Sequence, residues 1–169
     1  MGEGESQVLD VRDVLDPVPG QPVPAAGDSV AVIDEIGFHH ATSTAELLAD
    51  RGCRVEIITP GMVVGQDLGI TLDMEQWWMR ATAKGIVQRT DLVPMGLHGG
   101  ELTLLHHPTG VQHAERHDWV VLAVPTSPAD DLFHHLRAHG VSVDRAGDCV
   151  APRRAHAAVI DGERVGSAA

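Results

Sequence analysis

The sequence is poor in aromatic residues and in cysteine. It contains no tyrosine, two phenylalanines and three tryptophans, so a hydrophobic core must come from Val, Leu, Ile and Ala. Its two cysteines, Cys53 and Cys149, cannot make a four-cysteine zinc or iron–sulfur site within one chain. They also lie far apart in the sequence, which disfavours a disulfide framework. An aliphatic core of this kind suits strands packed under helices.

Basic residues and long apolar runs are also scarce. Twelve Lys and Arg against 24 Asp and Glu give a net charge of −12, the wrong sign for binding a nucleic acid by its phosphates. No apolar run approaches the ~20 residues that span a bilayer, and the first residues, MGEGESQ, lack the features of a signal peptide. The length of 169 residues fits one domain. We therefore expect a cytoplasmic domain that binds neither nucleic acid nor membrane.

The N-terminal half predicts a βαβ unit. Residues 1–27 are acidic and then rich in Pro and Gly, which indicates a short docking segment and an extended linker before a domain over residues 28–169. The apolar run SVAVIDE predicts a buried strand over residues 29–35. A helix over residues 41–52, ending at Gly52, and the strand CRVEIITP follow. The right-handed crossover rule makes the two strands parallel.

The remaining segments complete an α/β fold. LDMEQWWMRATAKG predicts a helix, and the short apolar runs GIVQRT, DLVPMGLHG, GELTLLHH and GVQHAE predict a β-hairpin or three-stranded meander. WVVLAVP predicts a further buried strand. ADDLFHHLRAHG predicts a helix with Leu132, Phe133 and Leu136 facing inward, VSVDRAGDCVAPRR a strand and loop, and AHAAVIDGERVGSA a last helix. The predicted fold is a three-layer, Rossmann-like parallel sheet with an antiparallel β-meander insertion.

The turn after the first predicted strand is the first place to search for a ligand, because parallel sheets bind ligands at the carboxyl ends of their strands. A dinucleotide turn needs G-x-G-x-x-G, so that the backbone can approach a pyrophosphate. This turn reads DEIGFHHA from residue 34 and keeps only Gly37. The pattern therefore disfavours an ordinary NAD site and favours a turn whose phosphate space is filled. Gly37 remains the candidate cofactor-binding residue.

Several segments together resemble a known family. VLDVRDVLDP, SVAVIDEIGFHHATSTAELLADRGCRVEIITP, WVVLAVP and AGDCVAPRRAHAAVIDGERV resemble the C-terminal nucleotide-binding region of the old yellow enzyme-like iron–sulfur flavoproteins. That family includes trimethylamine dehydrogenase, histamine dehydrogenase and 2,4-dienoyl-CoA reductase. The most specific stretch is Gly147-Asp148-Cys149, followed by Pro152 and Arg153 before an Ala-rich helix.

The resemblance implies a set of cofactors, only some of which this chain could share. A full family subunit has an FMN-bearing barrel, a four-cysteine iron–sulfur segment and a module that binds FAD or ADP. The barrel, the cysteine cluster and the adenosine fingerprint are missing here, so FMN and a 4Fe–4S cluster are expected only in a partner chain. The residue matching Asp148 contacts the flavin ribityl chain in the family; alternatively, Asp148 caps the last helix.

The neighbours of Asp148 complete the candidate cofactor site. Gly147 and Cys149 flank it in the motif. Arg153 and Arg154 could pair with a phosphate or with carboxylates of a partner, or form an exposed solvated pair. An inert thiol is the expected role of Cys149, since no second cysteine lies nearby to resolve a redox reaction.

Histidines and tryptophans are the remaining candidates. His135 and His139 are spaced i,i+4 on a predicted helix, but without H-E-x-x-H we predict no metal site. Trp77 and Trp78 are adjacent on a helix and cannot both face one core, so one points outward or into an interface with a partner. Alternatively, both lie partly buried under the meander.

Two functions remain open. The first is a non-catalytic accessory subunit of a flavin and iron–sulfur oxidoreductase, which shares an FAD or ADP site with a barrel-type flavoprotein large subunit. The second is a decayed nucleotide-binding domain that acts as a scaffold or small-ligand sensor. The obstructed turn after the first strand favours the second function, and the docking segment before that strand favours the first. No catalytic residue is predicted under either function.

Overall fold

The computed structural model describes residues 7–168, and their contacts divide the chain into two compact units after Val124. The first unit contains β1 (Gln7–Asp10), α1 (Val11–Leu15), β2 (Ser29–Asp34), α2 (His39–Asp50), β3 (Arg54–Ile58), a 3₁₀ turn (Gln66–Ile70), α3 (Met74–Ala83), β4 (Val87–Arg89), β5 (Leu92–His98), β6 (Glu101–His106), β7 (Val111–Glu115) and β8 (Trp119–Ala123). The second contains α4 (Asp131–Ala138), a 3₁₀ turn (Gly147–Cys149) and α5 (Ala155–Ala168).

A five-stranded parallel sheet forms the centre of the first unit. Its strand order is β1-β8-β2-β3-β4, and every neighbouring pair runs parallel. The predicted βαβ unit is confirmed as β2, α2 and β3. Gly52 follows α2 with a φ of 86° and donates its N–H to the Ala49 carbonyl at 2.9 Å, as expected of a glycine that ends a helix.

Each face of the parallel sheet has its own core, because successive side chains of a strand point to opposite faces. Val30 and Val32 of β2 pack with Leu48 of α2 on the face covered by helices. Ala31 and Ile33 pack on the other face, under the antiparallel strands β5, β6 and β7. The predicted α/β class with a meander insertion is confirmed, with the meander as the third layer of this unit.

Residues 7–15 are part of the fold of the first unit. Strand β1 pairs with β8, and Val11 and Val14 of α1 are buried in the helix-side core. Residues 1–6 of the expected docking segment lie outside the described residues. The boundary drawn at residues 27 and 28, and the docking role itself, stay predictions.

Three expectations about local structure were wrong. GIVQRT contributes β4, which extends the parallel sheet beside β3 instead of joining the meander. Residues 141–145 form no strand. Leu132 is 70% exposed, and none of the residues of α4 is buried. A strand of three residues such as β4 carries little hydrophobic pattern, which explains the first difference. Helix α4 does have an apolar stripe, but none of its residues is buried among the described residues.

The second unit differs from the first in its interior. Between residues 125 and 168, Asp161 is buried, but no apolar side chain is. Large apolar side chains are instead exposed on both helices, among them Leu132, Val159 and Ile160. Across residues 7–168, none of the helices is both long and apolar enough to cross a bilayer.

We predict that apolar packing under the meander contributes to the free energy of unfolding of the first unit. Leu104 of β6 is fully buried, so Leu104→Ala should lower the free energy of unfolding by about 3 kcal/mol. Val111 of β7, in the same antiparallel sheet, is 58% exposed, and Val111→Ala should change stability by less than about 0.5 kcal/mol. Urea unfolding of both variants measures the difference. Equal losses would contradict the packing of this layer.

Candidate functional site

A small cleft lies at the carboxyl ends of β2 and β3, where the fold is expected to bind a ligand. Its volume is about 180 Å³. Its walls are the turn after β2 and the loop after β3, and they include the side chains of Asp34, Glu35, Thr59, Gln66 and Asp67. Three of these side chains are acidic and no lining residue is basic. The cleft therefore favours a small neutral or cationic ligand over a phosphate.

Asp34 is the central residue of this cleft. It ends β2 fully buried, and its Oδ1 accepts the N–H groups of Ile36 at 3.2 Å and Gly37 at 2.7 Å. Its Oδ2 accepts the N–H of Gly65 at 3.3 Å. One carboxylate thus ties the turn after β2 to the loop after β3. The Gly37 carbonyl strengthens this connection by accepting the Asp67 N–H at 2.8 Å.

Burial raises the pKa of the Asp34 carboxyl above its ordinary value, and the amide bonds offset only part of that rise. The folded protein therefore holds a proton on this carboxyl more tightly than the unfolded chain does. The ionised form depends on the three N–H donors for its stabilisation.

The N–H groups of the turn after β2 already donate hydrogen bonds within the protein. In an ordinary dinucleotide turn such N–H groups point at a pyrophosphate, whereas here Ile36 and Gly37 point at Asp34. A phosphate would have to displace a buried carboxylate, and the cleft is smaller than the roughly 300–1,000 Å³ of most ligand pockets. Gly37 has a φ of 69°, a conformation that favours glycine. The predicted cofactor role of Gly37 stays a prediction.

The other predicted site residues lie together in the second unit. Gly147 has a φ of 68°, and a Cβ there would lie 3.4 Å from the Cβ of Ala158 on α5. This contact and conformation explain the glycine. Asp148 is exposed, and its Oδ1 accepts the Arg153 N–H at 3.3 Å. Because Arg153 precedes α5, this bond lies outside the helix and is not an ordinary N-cap.

An ion pair holds Arg153 of this motif in place. The guanidinium of Arg153 pairs with the buried carboxylate of Asp161, which also accepts from Arg164 at 3.4 Å. Arg154 is exposed beside Arg153. The Cys149 thiol is half-buried and donates to the Ala146 carbonyl at 2.9 Å.

Sequence reasoning missed two residues that organise these sites. Asp34 was visible only as the polar end of an apolar run, and nothing in its neighbourhood revealed which amides it would bind. Asp161 is separated from Arg153 by most of two helical turns of α5, so their pairing had no local signal. Trp77 is buried in the helix-side core and Trp78 is 38% exposed, so one of the two points outward and the alternative, with both partly buried under the meander, is wrong. The role of Trp78 as an anchor for a partner stays a prediction.

Comparisons with known proteins give the same family as the sequence. The chain is 26% identical over 173 residues to the N,N-dimethylglycine/sarcosine dehydrogenase of Chromohalobacter salexigens, covering 82% of this chain and 25% of that protein. It is 27% identical to 6-hydroxypseudooxynicotine amine oxidase from Pseudomonas geniculata N1, with a TM-score of 0.80, covering 98% of this chain and 27% of that one. No protein-family model matches the chain.

Histamine dehydrogenase from Rhizobium sp. 4-9 has the same fold. The TM-score is 0.84 at 24% identity, and the match covers 95% of this chain and 26% of the dehydrogenase. The resemblance to the nucleotide-binding part of the trimethylamine dehydrogenase and old yellow enzyme-like family is confirmed. The chain spans about a quarter of the length of these relatives.

We predict a pH dependence that belongs to Asp34. Because burial raises its pKa in the folded state, wild-type stability from this group is lost as the pH rises through that pKa. The variant Asp34→Asn does not titrate. Its unfolding free energy, subtracted from that of the wild type, should give a difference that falls as the pH rises from about 4 and then levels off. Urea unfolding at several pH values measures this difference; a rise with pH would contradict it.

Proposed function

We propose that this chain is an accessory subunit of a flavoprotein oxidoreductase and completes a nucleotide-binding module together with a larger flavin-bearing chain. Similarity to the flavoprotein oxidoreductase family supports the general class. The relatives are named as dehydrogenases and an amine oxidase. A role as the small subunit, a shared FAD or ADP site and a barrel-type large partner are the finer parts of the proposal.

The observation that carries the proposal is that no apolar side chain is buried among the described residues of the second unit. A segment of this size needs a hydrophobic core, a metal or cross-links to be stable by itself. Among residues 125–168 no apolar side chain is buried, while Val159 is 69% and Ile160 60% exposed on α5. These two side chains would gain stability from a covering apolar surface.

The matched relatives indicate what the covering surface belongs to. The chain aligns with about a quarter of each relative, so some three quarters of each lie outside the match. A partner chain equivalent to that remainder would bring the other half of the nucleotide-binding module. We propose that this half packs on α5.

The described residues fit a hydroxyl-bearing ligand beside α5. Asp148 is exposed, and its Oδ2 has no partner among the described residues, so it can accept a hydrogen bond from a ribityl or ribose hydroxyl. Arg154 lies exposed close to the start of α5, where a helix favours a phosphate. A bound flavin would supply the redox chemistry. The residues of this chain would bind and orient it.

Variants of α5 test the proposed interface. Ile160→Glu places a charge on the exposed apolar face and should weaken association with the flavoprotein partner by about 2 kcal/mol or more. Ser167→Glu adds the same charge at an exposed polar position of the same helix and serves as the matched control. Tagged versions of both, expressed in the source cells, are compared by the flavin absorbance and the mass of the co-purified chain.

Two results would contradict the proposed interface. The proposal fails if the wild-type chain is purified as a colourless monomer without a flavoprotein whose sequence matches the remainder of the relatives. It also fails if Ile160→Glu and Ser167→Glu retain the partner equally, because α5 would then not lie at the interface.

The acidic cleft favours a second candidate function, a small-ligand sensor. The small amines after which the relatives are named, sarcosine, N,N-dimethylglycine and histamine, are suitable probes. If the chain is a sensor, one of them should raise its melting temperature, and Glu35→Lys at the cleft should abolish the shift by repelling the ammonium group. The absence of any shift in the wild type would contradict a sensor for these three amines.

A further inference from the structure

A half-buried ionic cluster that shares no side chain with the lining of the cleft lies where β3, β4 and β7 meet. It consists of Glu56, Arg89, His113, Glu115 and His117, and we refer to it as the edge cluster. The side chain of His117 is only 7% exposed, and those of the two glutamates are 21% and 22% exposed. Neither the cleft around Asp34 nor the proposed interface on α5 includes these residues.

Three members of the edge cluster have the donor atoms and the spacing of a metal site. The Nε2 of His117 lies 3.2 Å from the Oε1 of Glu115 and 3.4 Å from the Oε1 of Glu56. One ligand atom from each of the three residues lies within 4.8 Å of the others. Ligands at ~2.0 Å from a tetrahedral zinc ion are roughly 3.3 Å apart, so two of these separations already have the required length.

The edge cluster already holds a positive charge at its centre. The Nη1 of Arg89 donates to the Oε2 of Glu56 at 2.8 Å and to the Oε1 of Glu115 at 2.6 Å. Its Nη2 lies 2.9 Å from the Nε2 of His113. Because a guanidinium only donates, that histidine nitrogen must present its lone pair. A lone pair on neutral imidazole is the form that binds a metal.

We propose that the edge cluster binds a divalent transition-metal ion, for which Zn²⁺ is the probe, in exchange for the guanidinium of Arg89. Glu56, Glu115 and His117 supply three ligands. His113, which faces the position that the guanidinium vacates, supplies the fourth. Two nitrogens and two carboxylate oxygens are a ligand set that suits zinc.

The exchange balances in charge and protons. In the metal-free form the Nε2 of His117 lies between two carboxylate oxygens, so it carries a proton and donates. Metal binding needs the lone pair of Nε2, so the proton on Nε2 leaves and the ring binds as the neutral tautomer that is protonated on Nδ1. Zn²⁺ then neutralises the two carboxylates. The side chain of Arg89 keeps its charge and turns outward, for which its exposure of 24% leaves a path.

The site would join separate parts of the first unit. Glu56 belongs to β3 of the parallel sheet, whereas His113 and Glu115 belong to β7 of the meander. A bound ion would therefore cross-link the two sheets. Since it binds only the folded form, it should raise the melting temperature of the protein.

Zinc titration of the untagged, metal-free protein tests the proposal. The wild type should bind one ion in competition with a chromophoric chelator, and the melting temperature should rise with the zinc concentration. His117→Gln should weaken binding at least roughly tenfold, the lower end of what even an outer partner of a ligand contributes. The double variant His135→Gln/His139→Gln removes the exposed histidine pair of α4 and serves as the control, which should bind zinc like the wild type.

A second variant tests the exchange with Arg89. Arg89→Gln removes the competing cation and should bind zinc more tightly than the wild type. The proposal is overturned if His117→Gln binds like the wild type, if the α4 double variant alone loses binding, or if Arg89→Gln folds and gains no affinity. Where Arg89→Gln does not fold, the comparison between the wild type and His117→Gln decides the question.

Discussion

The hydrogen bonds of the Asp34 carboxylate are the constraint on which the ligand end of the first unit depends. A charge buried at the end of β2 must be stabilised by nearby donors, and among the described residues backbone amides of two loops supply its hydrogen bonds. The turn after β2 and the loop after β3 are therefore held together. The same amides cannot then donate to a phosphate. The Asp34 side chain therefore both holds the walls of the cleft together and occupies the N–H groups that bind a pyrophosphate in related folds.

The parts of the fold that could be predicted from the sequence are those with a strong hydrophobic pattern. Residues 30–33, VAVI, are apolar without interruption because β2 is buried on both faces, and α2 shows its buried stripe at Ala45 and Leu48. Strand β4 has three residues, two of them exposed, and β1 is a four-residue edge strand. Their positions are decided by pairing with β3 and β8 across long stretches of chain, which no local pattern records.

The candidate sites also differ in how well the sequence predicts them. The motif from Gly147 to Arg153 is contiguous, so it could be recognised, and the structure explains its glycine by a positive φ and the approach of Ala158. The edge cluster could not be recognised. Glu56 and Arg89 belong to different strands and His117 to the loop between β7 and β8. Taken alone, each is typical of an ordinary polar residue on a solvated face. Only the pairing of β3 with β4, and the meander that returns beside them, bring these side chains together.

The two units differ in how much apolar surface they bury. The first has a core on each face of its sheet, so its ion pairs add orientation to a structure that apolar packing already stabilises. The second has the ion pairs of Asp161 with Arg153 and of Asp130 with Arg145, but no buried apolar side chain among its described residues. In both pairs the arginine is partly exposed to solvent, and ion pairs open to solvent contribute little net stability. In the proposed complex, the exposed apolar face of α5 would supply the apolar contact that the described residues of this unit lack.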